Sequence, residues 1–127
     1  MRSPSTTFDI GLRNIGKYRG DWPAQFRAAQ TIGARWLQVD GVPQDQEETV
    51  SRLIEETGVR LWSITALNCA VLGPDPDRSA EEQTKIAATI RQAARMGAPC
   101  VSVFAGNLPA EPPERVAAQI GKVYGPL

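Results

Sequence analysis

The 127-residue sequence contains no histidine. That removes the commonest metal ligand and the commonest general base. A Ser-His-Asp triad or a histidine-bearing metal site cannot be assembled from this chain alone. Neither sign of charge is in excess, because 14 basic residues balance 14 acidic ones. A nucleic-acid or anionic-membrane footprint needs a basic excess or cluster, so neither partner is expected. The apolar stretches fall well short of the roughly 18 residues of a membrane span. Met1-Arg2-Ser3-Pro4-Ser5-Thr6-Thr7 carries a charge with no apolar run behind it. It reads as a flexible lead over residues 1–7, not as a signal peptide. Cysteine is scarce, and Cys69 and Cys100 stand 31 residues apart, in neither a C-x-x-C pair nor a metal spacing. The expectation is two buried or half-buried thiols in a reducing cytoplasm.

What the chain does have is a hydrophobic content of 42%, enough to bury one core. Residues 8–127 read as a single domain. Three segments within it repeat: Ile32-Gly33-Ala34-Arg35-Trp36-Leu37-Gln38-Val39-Asp40, Thr57-Gly58-Val59-Arg60-Leu61-Trp62-Ser63-Ile64-Thr65 and Met96-Gly97-Ala98-Pro99-Cys100-Val101-Ser102-Val103-Phe104. Each has a glycine, a small apolar residue, then a short β-rich run. The glycine supplies the left-handed conformation that ends a helix. The run that follows starts a strand.

The helices feeding these turns are readable. Asp21 caps the first, with Pro23 in the opening turn, and Trp22, Phe26 and Ala29 recur at helical spacing. The second spans about 44–57, with Val50, Leu53 and Ile54 on one face. Asp45, Glu47 and Glu48 near its start suit the macrodipole. The third opens at Ser79 and Glu82, a capping-box spacing, and continues to Met96. The fourth starts near Pro112-Pro113 and carries Val116, Ala117 and Ile120. Ahead of them all, Phe8-Asp9-Ile10-Gly11-Leu12-Arg13 alternates like a strand.

Strand then helix, four times, implies a parallel sheet with right-handed crossovers. Two observations favour a closed barrel over an open doubly wound sheet. The turn after strand one, Arg13-Asn14-Ile15-Gly16-Lys17-Tyr18-Arg19-Gly20, lacks the glycine-rich phosphate pattern. Strands two and three also alternate polar Gln38, Asp40, Ser63 and Thr65 with apolar residues, whereas strands covered on both faces read as continuous apolar runs. A barrel takes about 250 residues. The expected fold is therefore α/β, a parallel (β/α)4 half of a TIM barrel, truncated, with open edges at strands one and four. A complete small flavodoxin-like domain is the alternative.

The most specific stretch is Trp62-Ser63-Ile64-Thr65-Ala66-Leu67-Asn68-Cys69-Ala70-Val71-Leu72-Gly73-Pro74-Asp75-Pro76-Asp77. A helix follows, ending Gln92-Ala93-Ala94-Arg95-Met96-Gly97-Ala98, and then Val101-Ser102-Val103-Phe104-Ala105-Gly106. This order and spacing resembles the sugar phosphate isomerase/epimerase family of xylose isomerase-like TIM barrels. Ile32-Gly33-Ala34 before Leu37-Gln38-Val39-Asp40 looks like that family's second strand. The resemblance covers roughly residues 8–120 and only the N-terminal half of a family member. It implies a sugar or sugar-phosphate ligand and, in the full-length family, a divalent metal such as Mn or Mg. Many relatives have a histidine in the loop after strand three, where this chain has Asn68-Cys69-Ala70-Val71. The family's metal ligands and its two catalytic glutamates lie on later strands. The resemblance thus assigns neither a catalytic nor a metal-binding residue to this chain.

Barrel chemistry sits at the C-terminal strand ends. Four residues there are candidate substrate contacts. Arg13 suits a bidentate phosphate contact or is a solvated arginine. Asp40 accepts from a sugar hydroxyl or is a turn acceptor before Gly41. Asn68 and Asn107 suit polyol recognition or bond locally in turns. Trp22, Trp36 and Trp62 are expected to pack between helices and sheet rather than to stack on sugar. Three functions stay open: an enzyme-derived half barrel completed by a homo-oligomer or a complementing half-barrel chain, a non-catalytic sugar- or protein-binding module, and the small flavodoxin-like domain.

Overall fold

The computed structural model describes residues 9–13, 18–66, 76–103 and 112–127. The chain runs β1 (Gly11–Arg13), α1 (Trp22–Thr31), β2 (Trp36–Asp40), α2 (Glu47–Thr57), β3 (Arg60–Ala66), α3 (Pro76–Met96), β4 (Cys100–Val103) and α4 (Pro113–Tyr124). A 3-10 turn, Gln44–Gln46, leads into α2. The strands form one sheet in the order β1-β2-β3-β4, every neighbouring pair parallel. The sheet does not close on itself. This is the (β/α)4 half-barrel expected from the alternation.

Three helix ends explain the repeat. At α1, Gly33 N–H bonds Gln30 C=O and Ala34 N–H bonds Ala29 C=O. At α3, Gly97 and Ala98 make the same pair of bonds to Ala94 and Ala93. Both are Schellman caps. Helix α2 uses the simpler form, a bond from Gly58 N–H to Ile54 C=O. Each cap needs one residue at positive φ, and Gly33, Gly58 and Gly97 supply it at 75°, 71° and 71°. The next residue turns inward: Ala34, Val59 and Ala98 are all buried. That is why a small apolar residue follows each glycine.

The helices cover one face of the sheet. Register aligns Leu12, Leu37 and Leu61 in one row across β1–β3, and Val39, Ile64 and Val101 in another across β2–β4. Against these rows pack Trp22, Phe26 and Ala29 of α1, Val50 and Leu53 of α2, and Ala93 of α3. A second cluster joins Ala66 and Ile86 to Ile90, Val123 and Tyr124, docking α4 beside α3. Burial of each large apolar side chain contributes roughly 1.5–3 kcal/mol.

Four boundaries differ from expectation. Strand β1 begins at Gly11, with Asp9 and Ile10 outside it and Phe8 outside the described residues. Helix α2 starts at Glu47, because residues 44–46 take the tighter turn. Helix α3 begins at Pro76, so Ser79 and Glu82 lie within it and form no capping box. Proline favours the first helical position and places the start one turn earlier. Strand β4 ends at Val103, and Phe104 lies outside the described residues. The lead over residues 1–7 does too.

Candidate functional site

The face of the sheet turned away from the described helices is where a barrel keeps its lumen. Strand alternation sends Gly11 and Arg13 of β1, Trp36, Gln38 and Asp40 of β2, and Cys100 and Ser102 of β4 to this side. Strand β3 departs from strict alternation. Its register with β2 slips between Leu37 and Gln38, leaving Trp62 as an extra residue. Such a bulge re-aims the side chains around it. Trp62 and Ser63 therefore both face the lumen side, followed by Thr65.

Contacts confirm the shared face. Gln38 Nε2 donates to Ser102 Oγ at 3.4 Å, and the Ser63 and Ser102 hydroxyls lie 3.3 Å apart. Thr65 Oγ1 is buried with no hydrogen-bond partner among the described residues. Trp36 and Trp62 meet edge to face, centroids 5.6 Å apart at 79°. Beside them runs a groove of about 500 Å³ lined by Arg13, Trp36, Gln38 and Trp62. These two tryptophans correct the expectation of packing between helices and sheet: Trp62 is 48% exposed on the opposite face. Trp22 alone of the three fills the helix-side core. Cys100 is an exposed free thiol, not a buried one, because it too faces the open side on an edge strand. Cys69 lies outside the described residues.

At the C-terminal rim a second cleft, about 460 Å³, lies between the start of α1, the β2–α2 connection and α3. Asp40, the last residue of β2, accepts from Arg19 Nη2 at 3.0 Å across its mouth. Its carboxylate is thus an ion-pair partner. Trp22 Nε1 donates to Gln46 Oε1 in the wall. Gln25 is buried and tied by its Nε2 to Tyr18 C=O at 2.9 Å. Farther along, Gln92 Nε2 bridges Val42 C=O at 2.7 Å and Glu47 Oε1 at 2.8 Å. Arg95 Nη2 donates to the same Glu47 oxygen at 2.8 Å. The Arg95 guanidinium, then the Gln92 amide, hold the Glu47 carboxyl below its ordinary pKa. The same bond raises Arg95. This network links α2 to α3 and is structural.

Of the four candidate contacts, Arg13 and Asp40 fall on the lumen side of adjacent strands, Arg13 exposed and Asp40 ion-paired. Asn68 and Asn107 lie outside the described residues. Sequence reasoning missed Gln38 and Ser102, although their two-residue period beside Asp40 and Cys100 was a usable signal. Arg19 sits between strand and helix, where no periodicity marks it. Among the described residues no group of three or more Asp, Glu or Cys side chains could hold a metal ion. Asp40, the rim carboxylate, is already balanced by a guanidinium. These residues do not fit a divalent-metal site. No described helix is long and apolar enough to cross a membrane.

No protein-family model matches the chain. No curated protein matches it either. Among solved structures, the crystal structure of endonuclease IV from Thermus thermophilus is similar, with a TM-score of 0.54 and 22% identity. The match covers 92% of this chain and 46% of that one, so this chain spans about half the length of the protein it matches. At that identity the likeness speaks to fold alone.

Proposed function

We propose that this chain supplies the substrate-holding half of a sugar or sugar-phosphate isomerase or epimerase of the xylose isomerase-like kind. The observation that carries the reading is the lumen-side face of the sheet, where Arg13, Gln38, Asp40 and Ser102 share one side with the buried Ser63 and Thr65 and with Trp36 and Trp62. Alternating donors and acceptors on a rigid sheet match the vicinal hydroxyls of a sugar. Asp40 accepts from a hydroxyl, and Arg13 serves a phosphate end. Asn68 and Asn107 are proposed as further polyol contacts. Balanced charge over the chain favours a small ligand over the polyphosphate track a nuclease needs.

In this reading four more β/α units, from a second copy or a complementing chain, complete the rim. A divalent metal such as Mn or Mg, when bound, polarises the sugar carbonyl. Its ligands and the catalytic carboxylates come with a complementing chain; a second copy, having the same sequence, completes the rim for binding alone. The residues here bind and orient substrate, and the chain alone is inactive. A non-catalytic sugar- or protein-binding module is the second reading, and it uses the same face without turnover.

The test is an NMR titration of the full chain with D-fructose and with D-fructose 6-phosphate, without metal. Binding is expected in the millimolar range, with shifts at Gln38, Asp40 and Ser102. Asp40→Asn weakens both ligands, and Arg13→Ala weakens chiefly the phosphate. If neither sugar moves these resonances, the reading is wrong. Ketose turnover with Mn²⁺, after mixing with a completing half, separates enzyme from binding module.

A further inference from the structure

The rim cleft of about 460 Å³ has no part in the sheet-face reading, apart from Asp40 at its mouth. Its walls come from the start of α1, the β2–α2 connection and α3. The unusual wall residue is Gln25. It stands in the buried stripe of α1 between Trp22 and Ala29, yet it is polar and only 2% exposed. Its Nε2 donates to Tyr18 C=O at 2.9 Å, and a carbonyl only accepts, so the orientation of the amide is fixed. Oε1 is thereby left buried with no hydrogen-bond partner among the described residues. A buried acceptor without a bond weakens a fold, so such an atom calls for a donor.

The other polar groups of the wall are biased the same way. Gln92 spends its Nε2 on Val42 C=O and Glu47 Oε1 and keeps Oε1 as an acceptor. Thr89 gives its hydroxyl hydrogen to Lys85 C=O at 3.1 Å and keeps oxygen lone pairs. Trp22 commits its indole N–H to Gln46. Arg19 and Asp40 cancel each other's charge at the mouth. Donors are thus largely spent inside the fold, while acceptors remain. An anion finds little to hold it there, and a cation finds no uncompensated carboxylate in the lining. The matching ligand is uncharged and rich in O–H donors. Trp22 and Val42 supply an apolar surface for its carbon side.

We propose that this cleft binds an uncharged polyol of hexose size, with Gln25 Oε1, Gln92 Oε1 and the Thr89 hydroxyl oxygen as its acceptors. A small turn of the Gln25 amide, still bonded to Tyr18, brings Oε1 to the ligand. The site is separate from the sheet face and does not rest on the proposed function.

Side-chain amide NMR on the full chain, titrated with D-sorbitol, tests it, with inorganic phosphate and methylammonium as parallel probes. Sorbitol is expected to give saturable shifts of the Gln25 and Gln92 side-chain amides in the millimolar range, and the two ions none. Gln25→Leu keeps a side chain in the buried stripe and removes the acceptor, so affinity should fall about tenfold. Thr89→Val should weaken binding about threefold. Absence of a saturable shift at Gln25 overturns the proposal. Equal shifts with either ion overturn it too, and so does unchanged affinity in folded Gln25→Leu. Should both variants lose their fold, the titrations of the unsubstituted chain still decide. Gln38 and Ser102 report on the sheet face separately. Their silence toward fructose would refute the proposed function and leave this cleft intact, whereas silence at Gln25 alone would refute only the cleft.

Discussion

Leu37 and Gln38 are neighbours in β2, yet the structure gives them opposite fates. Leu37 is 1% exposed and sits between Leu12 and Leu61 in the leucine row under α1 and α2. Truncating such a side chain to alanine costs about 2–5 kcal/mol, transfer and cavity together. With both row neighbours held by strand pairing, little collapse is available, so about 3 kcal/mol is expected. At an unfolding entropy of about 2.1 cal/mol/K per residue, a chain of 127 residues loses roughly 10 °C of melting temperature. Gln38 faces the other way and makes one long bond, 3.4 Å, to Ser102. Removing it costs about 1 kcal/mol or less, near 3 °C. Differential scanning calorimetry on Leu37→Ala and Gln38→Ala measures both. Equal losses, or a larger loss at Gln38, would refute the assignment of faces.

Three further outcomes follow from local geometry. Gly58→Ala should cost about 1 kcal/mol in urea unfolding; an added Cβ meets nothing within 4 Å, so the loss is purely that of holding φ at 71°. Asp21→Ala should cost about 1 kcal/mol, because Asp21 Oδ1 accepts from Ala24 N–H at 3.0 Å to cap α1; a helix signal that survives unchanged with no loss of stability would contradict this. Glu47 has a folded pKa below its unfolded one, so its stabilisation is complete at neutral pH. That stabilisation fades as pH falls below the ordinary glutamate value of about 4.3 and through the folded value. The melting-temperature advantage of the unsubstituted chain over Glu47→Gln should shrink in that window and nowhere above it.

The fold was readable because its signals are local. Glycine at a helix end, a small residue after it and a β-rich run behind them specify one joint, and three such joints fix the alternation. Asp21 before Trp22 and Pro23 marks α1 in the same way. Errors arose where a distant partner decides. Trp62 stands in a run that also holds Leu61 and Ile64, and only the slipped register against β2 reveals that it and Ser63 both face the lumen side. Ser79 and Glu82 have the spacing of a cap, but Pro76 starts the helix earlier. The site was harder still. Asp40 was legible as a strand-end carboxylate, but its partner Arg19 is 21 residues away and no pattern joins them. Gln38 and Ser102 meet across 64 residues, a contact that only the finished sheet creates.

Strand order and direction are best measured by backbone NOEs on isotopically labelled protein. Cross-strand contacts should link Leu12 to Leu37, Leu37 to Leu61 and Ile64 to Val101, in the pattern of parallel neighbours. Close Hα–Hα pairs between any two of these strands, the mark of antiparallel pairing, would contradict the half-barrel and the polar lumen face that depends on it.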